Sequence, residues 1–269
     1  MKKILLFSGL LALFFSACQS DPSKNSAAAE STFASPVLLA GHWIDLDFCS
    51  RANQYGSVLG AMNNAHQPYA YAISFDPNKP DSAICHNGFE TWALPVKFKN
   101  DTLELSGARP GKSVFLVYHS QGDKSMTMFD GTSGPMKMDK FIKSGANARD
   151  GLTAFTTALN HNLFSGIFIP VGSKDTLQLT PGGFILNWKD YDRFSVCAAG
   201  DCFVAEDAID VITLSKSKVE GSERMFGFRY NGANDTLRMY HLENTNPNEK
   251  GAYAVRNVAY TFFRKPAER

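Results

Sequence analysis

The sequence holds no cluster of lysines and arginines. Its 27 basic and 26 acidic residues leave a formal net charge of +1, so the electrostatic footprint of a nucleic-acid-binding surface is missing. The short patterns that carry recognisable chemistry are missing too. There is no G-x-S-x-G nucleophile elbow, no Walker loop and no Rossmann glycine pattern. The six histidines, His42, His66, His86, His119, His161 and His241, form neither H-E-x-x-H nor an H-x-H pair. They read as surface or loop residues, with His66 and His86 able to approach each other if Cys49 and Cys85 are bonded. Glu206, Asp207 and Asp210 gather in VAEDAIDVITL. A glycan hydrolase could use such a pair, but acids solvating a loop between strands are the simpler reading. Asp190 and Asp192 in WKDYDRF read as turn residues. No catalytic residue, metal site or cofactor is expected.

What is present begins at the N-terminus. Lys2 and Lys3 precede an apolar stretch from Ile4 to Phe15, followed by Ser16, Ala17 and Cys18. The stretch is shorter than the roughly 20 residues of a spanning helix and reads as a secretory signal over residues 1–17. FSAC resembles the bacterial lipobox, which implies lipidation of Cys18 and anchoring to the envelope. Residues 18–36 are rich in Ser, Ala and Pro and poor in large apolar side chains, as in a flexible tether. Taking Lys2 and Lys3 from the 27 basic residues leaves 25 against 26 acidic, a nearly neutral body. Three acyl chains make such an anchor effectively permanent, each buried CH₂ contributing about 0.8 kcal/mol. Gln19 stands where the inner-membrane retention signal of enteric bacteria has aspartate, so the outer membrane is the expected site.

Five cysteines less Cys18 leave four, an even number that suggests two disulfides in an oxidising compartment. Cys197 and Cys202 bracket AAGD between two apolar runs, as across a hairpin, and that pairing leaves Cys49 with Cys85. The chain-entropy argument assigns about 2 kcal/mol to the short loop and about 4 to the long one. Four residues between two cysteines, with no second pair nearby, is a poor zinc pattern.

Helical periodicity is scarce after residue 36. Short alternating runs such as YAYAISF, SVFLVYH, SMTMFD, DVITLS, MFGFRY and TLRMYHL, separated by Gly, Pro, Asn and Asp, predict a dozen or so strands. Two stretches, 50–65 and 150–162, read as helical, the second with Asp150 as N-cap and Leu152, Phe155, Thr156 and Leu159 on one face. The order of elements over 103–130 returns over 212–241, an offset of about 110 residues. GHWIDL upstream pairs with SGIFIPV, and MDKFIKS downstream with AYTFFRK. The chain therefore reads as two copies of a unit of roughly 105 residues, an all-β body in which each unit is an antiparallel barrel or sandwich. The expected domains are 37–147 and 163–269, joined by a helical linker over 148–162.

Gly41-His42-Trp43 resembles the G-x-W opening of the lipocalins, and the whole is similar to lipocalin-like lipoproteins of Bacteroidetes. The resemblance implies that Trp43 plugs the closed end of the first barrel under a basic residue, Lys143. In the second unit Phe168 and Arg264 would take those places. It also implies two tandem antiparallel lipocalin-like β-barrels, able to hold a small hydrophobic ligand or a sugar without catalysis. The rival reading is a solid barrel that binds an envelope protein or glycan through its loops.

Asp-Thr-Leu is written three times, at Asp101-Thr102-Leu103, Asp175-Thr176-Leu177 and Asp235-Thr236-Leu237. The copies fall at different places in the two units, so each reads as a turn entering a strand. They also resemble, with Asp81-Ser82-Ala83, the tripeptide at which Bacteroidetes O-glycosylate exported proteins. Thr102, Thr176, Thr236 and Ser82 are the implied acceptors.

Overall fold

The computed structural model describes residues 33–63, 67–88, 90–145, 147–198, 209–246, 248 and 253–266. The expected signal, Cys18 and most of the expected tether lie outside the described residues, as do His66, Cys202, Glu206 and Asp207. The body starts a little earlier than the composition suggests. The Ala34 amide donates to the Asn100 carbonyl at 3.1 Å. Ser35 then caps a short helix, α1 (Pro36–Leu39).

The first eight strands are β1 (Gly41–Asp45), β2 (Ala72–Phe75), β3 (Ser82–His86), β4 (Thr91–Lys99), β5 (Thr102–Arg109), β6 (Lys112–His119), β7 (Ser125–Asp130) and β8 (Lys137–Lys143). Each pairs antiparallel with the next, and β1 closes on β8 through Trp43↔Lys143 and Ile44↔Ile142. The second eight are β9 (Gly166–Pro170), β10 (Leu177–Leu179), β11 (Ile185–Leu186), β12 (Arg193–Val196), β13 (Asp210–Ser215), β14 (Arg224–Asn231), β15 (Thr236–Asn244) and β16 (Tyr253–Arg264). Here β9 pairs with β16, and the sheet runs β11-β10-β9-β16-β15-β14-β13-β12. The seam between β11 and β12 is nearly shut. The Ile185 amide donates to Asp192 at 2.9 Å, the Phe194 amide donates to Gly183 at 2.8 Å, and the Arg193 guanidinium lies 3.6 Å from the Phe184 ring centre. The fold is thus two eight-stranded antiparallel barrels, one closed and one nearly closed.

Eight strands enclose a space just wide enough for side chains to fill, and the alternation of each strand supplies them. In the first barrel Trp43, Ile73, Cys85, Leu103, Leu105, Leu116, Met126 and Phe141 form one buried cluster. The second cluster is larger. Phe168, Ile212, Phe228 and Leu237 of the second barrel share it with the helices and with Ile44, Tyr71 and Ala72 of the first barrel. One continuous apolar contact therefore joins the two barrels.

Three helices mediate it. Between β1 and β2 run α2 (Leu46–Tyr55) and α3 (Val58–Asn63). The Asp45 carboxylate caps α2 by accepting from the Phe48 amide at 2.8 Å, and Gly56 ends it in the left-handed region at φ 60°, as a C′ glycine does. Helix α4 (Gly151–Leu163) precedes β9 and starts at Asp150, whose carboxylate accepts from the Thr153 amide. Phe48 stacks on Tyr71 at 4.6 Å, and Tyr71 on Phe155 of α4 at 4.8 Å.

The expected Cys49–Cys85 disulfide is corrected. Both are free buried thiols. Cys49 on α2 belongs to the cluster shared with the helices, while Cys85 on β3 points into the first barrel. The two sit in different apolar cores, on opposite sides of a barrel wall, and counting cysteines is blind to that. Burial pushes both thiols up, Cys85 to about 12, so neither is a nucleophile at neutral pH. The Cys197–Cys202 pairing falls partly outside the described residues, because Cys202 does.

Candidate functional site

The plugged end of each barrel lies opposite its open mouth. Trp43 is buried, and its indole N–H donates to the Leu39 carbonyl at 2.7 Å. Lys143 Nζ lies 5.9 Å from the Trp43 ring centre and donates to the Leu38 carbonyl at 3.4 Å. In the second barrel the Arg264 guanidinium lies 5.3 Å from the Phe168 ring and 5.0 Å from the Tyr230 ring, and donates to the Leu163 carbonyl at 2.7 Å. Leu38 stands three residues before Gly41 and Leu163 three before Gly166. Both copies thus repeat plug, cation and carbonyl anchor.

Lys143 ends β8 at the plugged end, whereas Lys137 begins it at the other. There, the β3–β4, β5–β6 and β7–β8 connections surround a cup of about 410 Å³. Below it the barrel is filled: Leu94 and Val96 are nearly buried, and Leu103, Leu105, Val114 and Leu116 are fully buried. The cup is therefore shallow. Two aromatics form its wall. Trp92 and Tyr69 meet edge to face at 5.6 Å, the Trp92 indole N–H donates to the Tyr69 hydroxyl at 3.0 Å, and that hydroxyl donates to the Ala108 carbonyl at 3.2 Å. These bonds fix both rings, and burial raises the Tyr69 hydroxyl above its ordinary range.

Around the aromatics is a charged rim of Glu90, Arg109, Asp130 and Lys137. It is ordered through buried Thr132. Its hydroxyl donates to Asp130 Oδ1 at 2.6 Å and accepts from Arg109 Nε at 3.2 Å, while its carbonyl accepts from Lys112 Nζ at 2.8 Å. Rigid aromatic faces beside fixed donors and acceptors of both signs suit a small polar ring-shaped ligand. They offer no tunnel for an acyl chain.

Two polar clusters in the interior were not foreseen. His42 Nδ1 and Ser74 Oγ lie 2.7 Å apart, Ser74 Oγ and His86 Nε2 3.3 Å, and His86 Nδ1 and Thr91 Oγ1 3.1 Å. Four neighbouring strands, β1 to β4, bring these residues together. Gly151 closes over them, a Cβ there falling 2.5 Å from His86 Nε2 and 2.7 Å from Ser74 Oγ. A serine under that lid has no access to substrate, so the cluster acts as a polar seal beneath α4. The second cluster is Asp45, Asp139 and Arg51, with Arg51 Nη1 3.4 Å from Asp139 Oδ1. Burial and the Asp139 carboxylate raise Asp45 well above the usual carboxylate range.

Asp210, of the acidic trio, is buried and accepts from the Leu59 amide at 2.8 Å. It holds the start of α3 against β13, a structural use of the carboxylate. Thr102, Thr236 and Ser82 each open a strand, and Thr176 immediately precedes one. The following Leu or Ala is buried in every case. Thr176 is exposed and Thr102 and Ser82 half-buried. Thr236 is buried and donates its hydroxyl to the Asn234 carbonyl at 3.1 Å, so a transferase cannot reach it in the folded protein. Among the described residues no three His, Cys, Asp or Glu side chains group to hold a metal ion.

No family model, curated protein or solved structure matches this chain.

Proposed function

We propose that this is a cell-envelope lipoprotein of two lipocalin-like barrels, tethered through Cys18, whose first barrel binds a small polar ligand of the sugar class at its mouth without chemical change. The supporting observation is a filled barrel capped by a cup of about 410 Å³ with fixed Trp92 and Tyr69 rings inside a charged rim. Sugars stack their apolar C–H faces on such rings and bond their hydroxyls to the surrounding side chains. A long hydrophobic ligand needs a deep dry cavity, and the fully buried interior side chains occupy that space. The signal and lipobox over residues 1–18 support export, with the outer membrane as the address.

Titration with neutral mono- and disaccharides, followed by tryptophan fluorescence, tests the ligand class. Saturable quenching that Trp92→Ala abolishes is the expected result. Uptake of a hydrophobic dye or of extracted lipid with no response to any sugar sinks it. The filled interiors of both barrels also favour a second reading, an interaction module that grips an envelope protein or glycan through its loops. Co-purification of one stoichiometric protein partner from native membranes, with no small-molecule response, is its signature. The exposed threonine Thr176 is the leading O-glycosylation acceptor. An intact native mass equal to polypeptide plus lipid removes that modification.

A further inference from the structure

The β14–β15 hairpin carries an arrangement that barrel stability does not call for. Arg229 and Arg238 stand directly opposite each other across the two strands. Both are exposed and on the outer face, and neither has a carboxylate partner among the described residues. Like charges directly opposed across a strand pair are destabilising. The duplication supplies an internal control. Aligning Tyr118↔Met126 of the β6–β7 hairpin with Tyr230↔Leu237 puts Val117↔Thr127 where the arginines stand. The same barrel position is therefore filled without any charge in the first copy.

The arginines line a cleft of about 620 Å³. One wall is the hairpin, with Asn231, Asn234 and Tyr240. The other is the last turn of α2, with Gln54 and Tyr55. The walls are held together by Gly56, whose missing Cβ would lie 2.3 Å from the Tyr230 carbonyl oxygen. The first repeat thus builds one side of the cleft and the second repeat the other. Arg229 lies 5.9 Å from the Tyr240 ring centre, which orients its planar fork. The α2 C-terminus brings a partial negative charge of at most about one half to this place, too little to balance two guanidinium groups.

We propose that this cleft is a second binding site, for a saccharide carrying an oxyanion such as a uronate carboxylate. Paired guanidinium forks match the geometry of a carboxylate or sulfate. Tyr55 and Tyr240 offer ring faces to the sugar body, and Gln54, Asn231 and Asn234 offer amides to its hydroxyls. The site is independent of the cup at the mouth of the first barrel, and its occupancy does not depend on what that cup binds.

The test is calorimetric titration of the full chain with glucuronate, with glucose and inorganic sulfate alongside. Saturable glucuronate binding is expected, weakened by added salt because it is electrostatic and reduced at least tenfold by Arg229→Gln and by Arg238→Gln. In the Trp92→Ala background, where the cup has lost its ring, this arginine-dependent binding remains, which separates the site from the cup. The variant Arg238→Thr places the first barrel's threonine in that position and removes the like-charge pair. It keeps or raises the melting temperature while losing glucuronate, so a folding defect cannot imitate the result. Absence of saturable glucuronate binding overturns the proposal. So does binding in the Trp92→Ala background that both glutamine variants retain. Sulfate binding as tightly as glucuronate overturns the sugar assignment.

Discussion

Arg264 donates to the Leu163 carbonyl at 2.7 Å from a guanidinium that also covers Phe168 and Tyr230. It ties the last strand of the second barrel to the end of α4 and seals the plug at the same time. Lys143 does the same in the first barrel with a longer bond of 3.4 Å and an exposed ammonium. The two are equivalent in topology and unequal in burial. Arg264→Ala is expected to cost about 2–3 kcal/mol, combining a charge-assisted bond with two ring contacts, and Lys143→Ala about 1 kcal/mol or less. Chemical denaturation of both variants checks the ranking. Equal losses would mean that burial of the cation does not set its contribution.

Asp45 gives stability a dependence on pH of one sign. Burial first, and then the Asp139 carboxylate, raise its folded value, with the Phe48 amide and Arg51 pulling the other way. The folded state then holds a proton that the unfolded chain has released, so folding is favoured below the ordinary carboxylate range and weakens as pH rises through the window above it. Asp45→Asn retains an oxygen for the Phe48 amide but cannot ionise. It is expected to raise the urea midpoint at pH 7, with the gain vanishing near an acid pH where Asp45 is protonated in both states. A difference independent of pH rules out titration as the cause.

His86 acts in the opposite direction. Burial lowers its folded value from the ordinary 6.5, and His42 adds to the lowering, while Asp150 opposes it. The folded protein keeps His86 neutral where the unfolded chain takes up a proton, so its contribution is present above pH 6.5 and is lost as pH falls below it. Asp150, held down to about 2 chiefly by the Thr153 amide, stays charged throughout that range and does not confuse the reading. Thermal unfolding between pH 5 and pH 8 should show a slope that His86→Gln flattens. An unchanged slope in the variant assigns the effect to another group.

Features set by short spacing were legible in the sequence. Period-two alternation marks the strands, Asp150 marks the start of α4, and Gly41-His42-Trp43 and Gly166-Ile167-Phe168 mark the two plugs. Features set by the barrel wall were not. Cys49 and Cys85 counted as a pair, yet they lie on opposite sides of β-structure that only the closed sheet defines. His42, Ser74 and His86 are far apart in the chain and meet through the β1–β2 and β2–β3 registers. The arginine pair was within reach, because a hairpin closing at NGAND fixes Tyr230↔Leu237 and hence Arg229↔Arg238. The signal was a register, and composition does not contain one. The cup at the barrel mouth draws its rim from separate connections and has no linear pattern at all.

Gly56 allows the contact between the two halves to be measured. It sits at φ 60° with the Tyr230 carbonyl oxygen 2.3 Å from where a Cβ would be, whereas Gly122 in the first-barrel hairpin has φ 67° and nothing within 4 Å. Gly122→Ala therefore carries only the left-handed backbone cost, about 1–2 kcal/mol. Gly56→Ala carries the same cost plus a collision with backbone, which cannot rotate away, and is expected to lose at least about 3 kcal/mol. The excess of one over the other measures how tightly α2 is pressed on β14. Denaturant midpoints give both values. If the two substitutions cost the same, α2 yields at little expense, and the cleft between Tyr55 and Arg229 is not held rigid by this contact.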